Sequence, residues 1–169
     1  MLGNSVEDFA NYACENFKGD LVEIGLGYGD TTKLLLPVAK EHERELIGID
    51  PFESGWDNMP KSYQYEYDKF LKNMGGEIDK SLIIVKSNSL SSEAEKHCSC
   101  RLAFAFIDGL QYKGAILSDL RIVAHAKVIV LDDYDRDYFY SEVPTAIRTY
   151  MKQNPHRELI DKGKWAVII

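Results

Sequence analysis

DLVEIGLGYGDTTKLLLPVAK, residues 20–40, carries the pattern on which the fold turns. A short apolar run, DLVEIG, ends in glycines at every second position, Gly25, Gly27 and Gly29. It gives way to Leu34, Leu35 and Val38 at helical spacing, with Pro37 placed to kink or shorten the helix. This reads as a strand turning tightly into a helix. Glycine lets the chain turn sharply and lets a ligand come close to the backbone, and the helix start offers the positive end of its dipole there. A tight turn with no ligand would use the same residues, so the loop gains meaning from its surroundings.

Working outward, the same alternation recurs. Residues 5–18 put Val6, Phe9, Ala13 and Phe17 on one helical face behind Ser5 as N-cap. ELIGID (45–50), SLIIVKSNS (81–89), RLAFAFID (101–108) and AKVIVLDD (126–133) read as further strands. Between them KSYQYEYDKFLKNMGG, SSEAEKHC and YKGAILSDLRIVAHA read as helices, and SEVPTAIRTYMKQN as a last one despite Pro144. HRELID, KG and KWAVII then read as a hairpin. Five strands alternating with helices predict a doubly wound α/β fold whose mostly parallel sheet is covered on both faces, with a C-terminal antiparallel hairpin at or near an edge. Residues 1–169 are expected to form one domain.

A net charge of -7 leaves no basic stripe, so nucleic acid is not expected as a partner and a small molecule is. No apolar run approaches the roughly 20 residues of a membrane span, and MLGNSVEDF lacks a signal-peptide pattern. Cys14, Cys98 and Cys100 suit reduced thiols, and a cytoplasmic setting is expected.

Ligands of such sheets bind beyond the carboxyl ends of the strands. The residues there are Glu23 to Gly29, Asp50, Ser87 to Ser89, Asp108 to Tyr112 and Asp132 to Tyr134. The glycine spacing is E-x-G-x-G-x-G, not the G-x-G-x-x-G of dinucleotide binders. VEIGLGYGDTT, GIDPF and IVKSNS together resemble the motifs of class I S-adenosylmethionine-dependent methyltransferases, which implies their Rossmann-like fold across nearly the whole chain. The resemblance implies that Gly25, Gly27 and Gly29 cradle S-adenosylmethionine and that Asp50 binds its ribose hydroxyls. It also implies that Thr31 meets the methionine carboxylate, that Glu23 lies near the methionine amino group, and that Asn88 and Ser89 meet the adenine edge.

FIDGLQYKGAILSDLRIV followed by VIVLDDY resembles the metal-dependent O-methyltransferases of the catechol and macrocin types. By that likeness Asp108, Asp132 and Asp133 would hold Mg²⁺, and Asp108, Gln111 and Asp132 would be the catalytic positions, with Asp108 also at the cofactor. Carboxylates from neighbouring strand ends can close on one hard cation, which would lower the pKa of an acceptor hydroxyl. An acidic run that includes Asp135 and Asp137 can equally be a solvated loop. Gln111 stands where those enzymes often carry Lys or His as a base, and an amide takes no proton at neutral pH. Lys113 is a candidate substitute, while His125 reads as a packing or capping residue.

About twenty residues precede the glycine loop, so the substrate site is expected to be open or closed by a partner subunit, and a homo-oligomer is one possibility. Trp56 and Met59 are lid candidates, whereas Tyr63, Tyr67 and Phe70, at helical spacing, read equally as core. His97, Cys98 and Cys100 lack a second ligand pair for a metal. The expected activity is O-methylation of a small hydroxyl-bearing molecule. The alternatives are a metal-independent methyltransferase of the same fold and a non-catalytic S-adenosylmethionine-binding or partner subunit.

Overall fold

The computed structural model describes residues 2–52, 66–76, 78–134 and 142–169. Helix α1 (Val6–Asn16) starts at a capping box: Asp8 N donates to Ser5 Oγ at 3.2 Å, and Ser5 N donates to Asp8 Oδ2 at 3.1 Å. There follow β1 (Asp20–Ile24), α2 (Asp30–Glu41), β2 (Leu46–Ile49), α3 (Glu66–Met74) and β3 (Leu82–Val85). Then come α4 (Ser92–Cys98), β4 (Leu102–Ile107), α5 (Lys113–Ile122), β5 (Val128–Leu131), α6 (Val143–Gln153), β6 (Leu159–Lys162) and β7 (Trp165–Ile168).

The seven strands form one sheet in the order β3-β2-β1-β4-β5-β7-β6. β1 to β5 pair in parallel, and β7 runs antiparallel between β5 and β6. The predicted mostly parallel sheet with its closing hairpin is therefore the observed one. Every residue of β4 is buried, as a central strand covered on both faces requires. Strand alternation divides the core in two. Val22, Ile24, Ala105, Ile107 and Leu131 pack with α4, α5 and α6, while Leu21, Phe104, Phe106 and Val130 pack with α1, α2 and α3.

Two local expectations change. α2 runs through Pro37, which sits on its exposed side, where water can take the carbonyl left over by the missing N–H. Its buried residues are Thr32, Leu35, Leu36, Val38 and Ala39, so Leu35 and Val38 face the core as predicted, whereas Leu34 is 41% exposed. The spacing from Thr32, three, four and seven residues on, is the true apolar face. No helix among the described residues is long and apolar enough to cross a membrane.

Candidate active site

The strand order reverses between β1 and β4, the place where a doubly wound sheet opens a crevice at its carboxyl edge. Register brings the strand ends to one line there. Val85, Ile49, Ile24, Ile107 and Leu131 are mutually paired across β3, β2, β1, β4 and β5. One residue further along each strand stand Lys86, Asp50, Gly25, Asp108 and Asp132. Backbone bonds continue the ladder into this row: Gly25 N to Ile49 O at 2.9 Å, Asp108 N to Ile24 O at 2.8 Å and Asp132 N to Ile107 O at 3.0 Å. The sheet thus brings the separately predicted Gly25, Asp50, Asp108 and Asp132 together.

The three glycines of the loop differ in what surrounds them. Gly25 has φ +89°, and a Cβ there would lie 2.3 Å from the Asp108 carbonyl oxygen, so the β1 and β4 ends meet too closely for any side chain. Gly29 caps α2 and offers no side chain to the first-turn N–H groups. Gly27 would place a Cβ in open space and is the one beside which a ligand has room. Asp50, largely buried, holds the loop: Oδ2 accepts from Leu26 N at 2.9 Å and Gly27 N at 3.1 Å, and Oδ1 from Phe52 N at 2.8 Å.

Beneath the loop Glu23 is fully buried, turned by strand alternation toward the face of Phe106, its register partner. Neither carboxyl oxygen has a hydrogen-bond partner, nor does the buried Thr32 Oγ1. Burial pushes the Glu23 carboxyl up to about 8; the nearby Thr32 hydroxyl opposes this, and Asp108 and Asp50 add to it. Thr31, the residue singled out from sequence, is half-buried at the start of α2, and Thr32 is the one that faces Glu23. Sequence reading missed Thr32, although its place on the stripe with Leu35, Leu36 and Ala39 was available.

At the β4 and β5 ends, Asp108 is open on its solvent side. Desolvation on the protein side, then Asp132 and Asp133, push it up to about 7, while Lys164 opposes. Asp108, Gln111 and Asp132 line a shallow, open recess with Ile107, Ile116 and Val143. Gln111 Nε2 donates to Asp133 Oδ2. Asp133, at φ 54°, donates its N–H to Asp132 Oδ1 at 2.9 Å, and Lys164 Nζ is 2.9 Å from Asp132 Oδ2. Among the described residues no group of three or more acidic, His or Cys side chains is gathered to hold a metal ion. The donor set does not fit the Mg²⁺ expectation for Asp108, Asp132 and Asp133, because an ammonium and a backbone N–H take both oxygens of Asp132 and an amide takes Asp133 Oδ2. Lys164 was missed in the sequence. Its signal was topological, since a hairpin antiparallel to β5 brings its turn to the carboxyl edge.

After β3, Asn88 is exposed and bonds its own loop, accepting from Leu90 N at 3.0 Å. Ser89 lies against the buried Asp119 of α5, whose carboxyl burial pushes up to about 6 against the pull of the Ser89 hydroxyl. Asp119 was not foreseen, since it interrupts the apolar face of its helix. Lys113 opens α5 with its backbone N–H held by the Glu142 carboxylate, and His125 Nε2 meets the Cys100 carbonyl at 2.8 Å. Tyr67 and Phe70 pack with Phe52 as core, and Lys86 Nζ lies 3.3 Å from the Tyr67 ring centroid. Trp56, Met59, Tyr63, Asp135 and Asp137 lie outside the described residues.

No family model matches the sequence, and no curated protein matches it. Solved structures do match the fold. CalS11, a TDP-rhamnose 3'-O-methyltransferase of calicheamicin biosynthesis, gives a TM-score of 0.64 at 16% identity over 92% of this chain and 72% of its own. The O-methyltransferase TomG from Streptomyces achromogenes, in complex with SAM, gives 0.62 at 12% identity over 99% and 81%. The SAH-bound methyltransferase PaMTH1 from Podospora anserina gives 0.57 at 11% identity over 96% and 76%. What these proteins and this chain share is architecture: the chain has the class I methyltransferase fold.

Proposed function

We propose that this chain binds S-adenosylmethionine at the crevice between β1, β2 and β4 and transfers its methyl group to an oxygen of a small hydroxyl-bearing molecule. The reading rests above all on one observation: Gly25, Asp50 and Asp108 lie one step past a single aligned row of strand ends, at the point where the strand order reverses. The unpartnered oxygens of Glu23 and Thr32 and the open side of Gly27 are features such a ligand would use. When bound, S-adenosylmethionine supplies an electrophilic methyl group on a sulfonium.

In this reading Glu23 and the uncapped start of α2, with Thr31, receive the amino and carboxyl groups of the methionine end. Asp50 accepts from the ribose, and Asn88 and Ser89 border the adenine. Asp108, the solvent-facing carboxylate of the row, is the group placed to take the proton of the acceptor hydroxyl, a task closed to Gln111. The Mg²⁺ of the resemblance is left out of the reaction, because the oxygens of Asp132 are held by Lys164 and by Asp133 N–H. A cytoplasmic setting is part of this reading, since three cysteines, Cys14, Cys98 and Cys100, odd in number and spread along the sequence, do not suit a disulfide framework.

Calorimetry with S-adenosylmethionine and with NAD is the direct test. Micromolar binding of the first and none of the second is expected, and a preference for NAD would sink the reading. Gln111, bonded to Asp133 rather than poised as a base, favours a second reading as a non-catalytic S-adenosylmethionine-binding subunit. Cofactor binding without methyl transfer to any of a panel of catechols, sugars and glycosides would select it.

A further inference from the structure

We propose that the Lys164 ammonium, paired with Asp132, stands where a divalent cation would otherwise sit at the ends of β4 and β5, beside Asp108 and Asp133. Three carboxylates at adjoining strand ends repel one another and call for a counter-charge. The fold delivers one by its backbone. β7 runs antiparallel to β5, so the turn between Lys162 and Trp165 arrives at the carboxyl edge of the sheet, next to the residues that follow β5. There the Lys164 carbonyl accepts from Tyr134 N at 2.8 Å, which pins the turn whatever its side chain does.

From that position Lys164 Nζ reaches Asp132 Oδ2 at 2.9 Å. The Asp132 side chain is 9% exposed and that of Lys164 58%, so a nearly buried carboxylate is paired by a cation whose other side stays in water. A buried carboxylate stripped of its partner is costly, so the pair resists separation. The remaining oxygen of Asp132 accepts from Asp133 N, and Gln111 Nε2 donates to Asp133 Oδ2. Gln111 carries no charge, so among the described residues the charge paired with Asp132 comes from the hairpin and not from the loop after β4. A hard cation needs these same oxygens at close range and has to displace Lys164 to reach them.

The inference deepens the methyl-transfer reading and rests on it for its bearing on catalysis, but its test needs neither cofactor nor acceptor. Mn²⁺ binding is followed by electron paramagnetic resonance on the full chain, with Mg²⁺ as competitor. Wild type is expected to show no site tighter than millimolar. Lys164→Met is expected to bind Mn²⁺ at least about tenfold more tightly, because the carboxylates lose their internal cation. Lys164→Arg, which keeps the charge, should behave as wild type, and Asp132→Asn added to Lys164→Met should abolish the new site. Lys152→Met, the same charge change on an exposed position of α6, controls for net charge and should gain nothing.

Micromolar Mn²⁺ binding by wild type overturns the proposal, and so does a Lys164→Met protein that binds no better than wild type. Far-ultraviolet circular dichroism confirms that each variant is folded. S-adenosylmethionine calorimetry on the same samples reports on the methyltransferase reading separately: its failure, with the Mn²⁺ results as expected, would leave Lys164 in place and remove the cofactor.

Discussion

The Asp50 carboxylate has about four lone-pair sites, and the N–H groups of Leu26, Gly27 and Phe52 occupy three of them. Its first task is to hold the glycine loop in shape; a ribose contact would come on top of that. Asp50→Ala is therefore expected to lower stability by about 2–3 kcal/mol, measured by urea unfolding, as well as to weaken S-adenosylmethionine binding. An unchanged urea midpoint would show that these bonds carry no weight. The acid itself was readable from the sequence, since a strand ending in aspartate beside a glycine loop is an evident candidate. Its bonding partners were not, because they are loop N–H groups aimed by backbone angles that composition does not encode. Gln111 shows the same limit: its inability to take a proton was plain, while its bond to Asp133 depends on how two strand ends come side by side.

The elements at the edge separate roles that one motif runs together. Gly25→Ala would force a Cβ to 2.3 Å from a backbone oxygen at φ +89°, where neither can yield, and should cost several kcal/mol, on the order of 3 or more, in thermal and urea unfolding. Gly27→Ala, at φ +50° in open space, should cost only about 1 kcal/mol yet impair cofactor binding measured by calorimetry. Equal stability losses for the two would contradict this division of labour. The β-α-β rhythm and the hairpin were legible because apolar runs, glycines and turn residues mark them locally. On α2 Leu35 and Val38 were read as inward correctly and Leu34 was not, because Leu34, Leu35 and Leu36 are all leucine and which of them faces inward is decided by packing against the sheet. Lys164 left no local signal for a related reason, since the carboxylate it pairs with, Asp132, is more than thirty residues away.

Across the whole molecule, Glu23, Asp108 and Asp119 are all pushed up, to about 8, 7 and 6 from ordinary values of 4.5, 3.8 and 3.8. Each binds a proton more tightly folded than unfolded, so their combined contribution to stability falls as pH rises between those ordinary values and about 8. Asp8 and Asp79, held low by the Asn4 N–H and by Lys40 at the surface, pull weakly the other way. Glu23→Gln should remove the largest part of the slope. It is expected to leave stability little changed near the ordinary pKa of Glu23 and to raise it near pH 8 by something on the order of 3 kcal/mol. Urea midpoints across this range check it, and parallel curves for wild type and variant would refute it. The architecture was legible at this scale because alternation, strand count and hairpin allow few topologies. The charge state of its interior was not, since it depends on which carboxylates lose water.

The direction of β7 bears on handling the protein as well as on its chemistry. The strand leaves the site edge at Trp165 and carries the chain back across the sheet, so that Ile169 pairs with Glu158 at 2.9 and 3.0 Å on the far side. A fluorophore or surface tether attached through a cysteine introduced at the exposed Glu158, beside Ile169, would hang from the opposite pole, separated from the crevice by the length of a strand. A protein anchored there would present its open edge to solution, ready for cofactor and acceptor to be flowed across it.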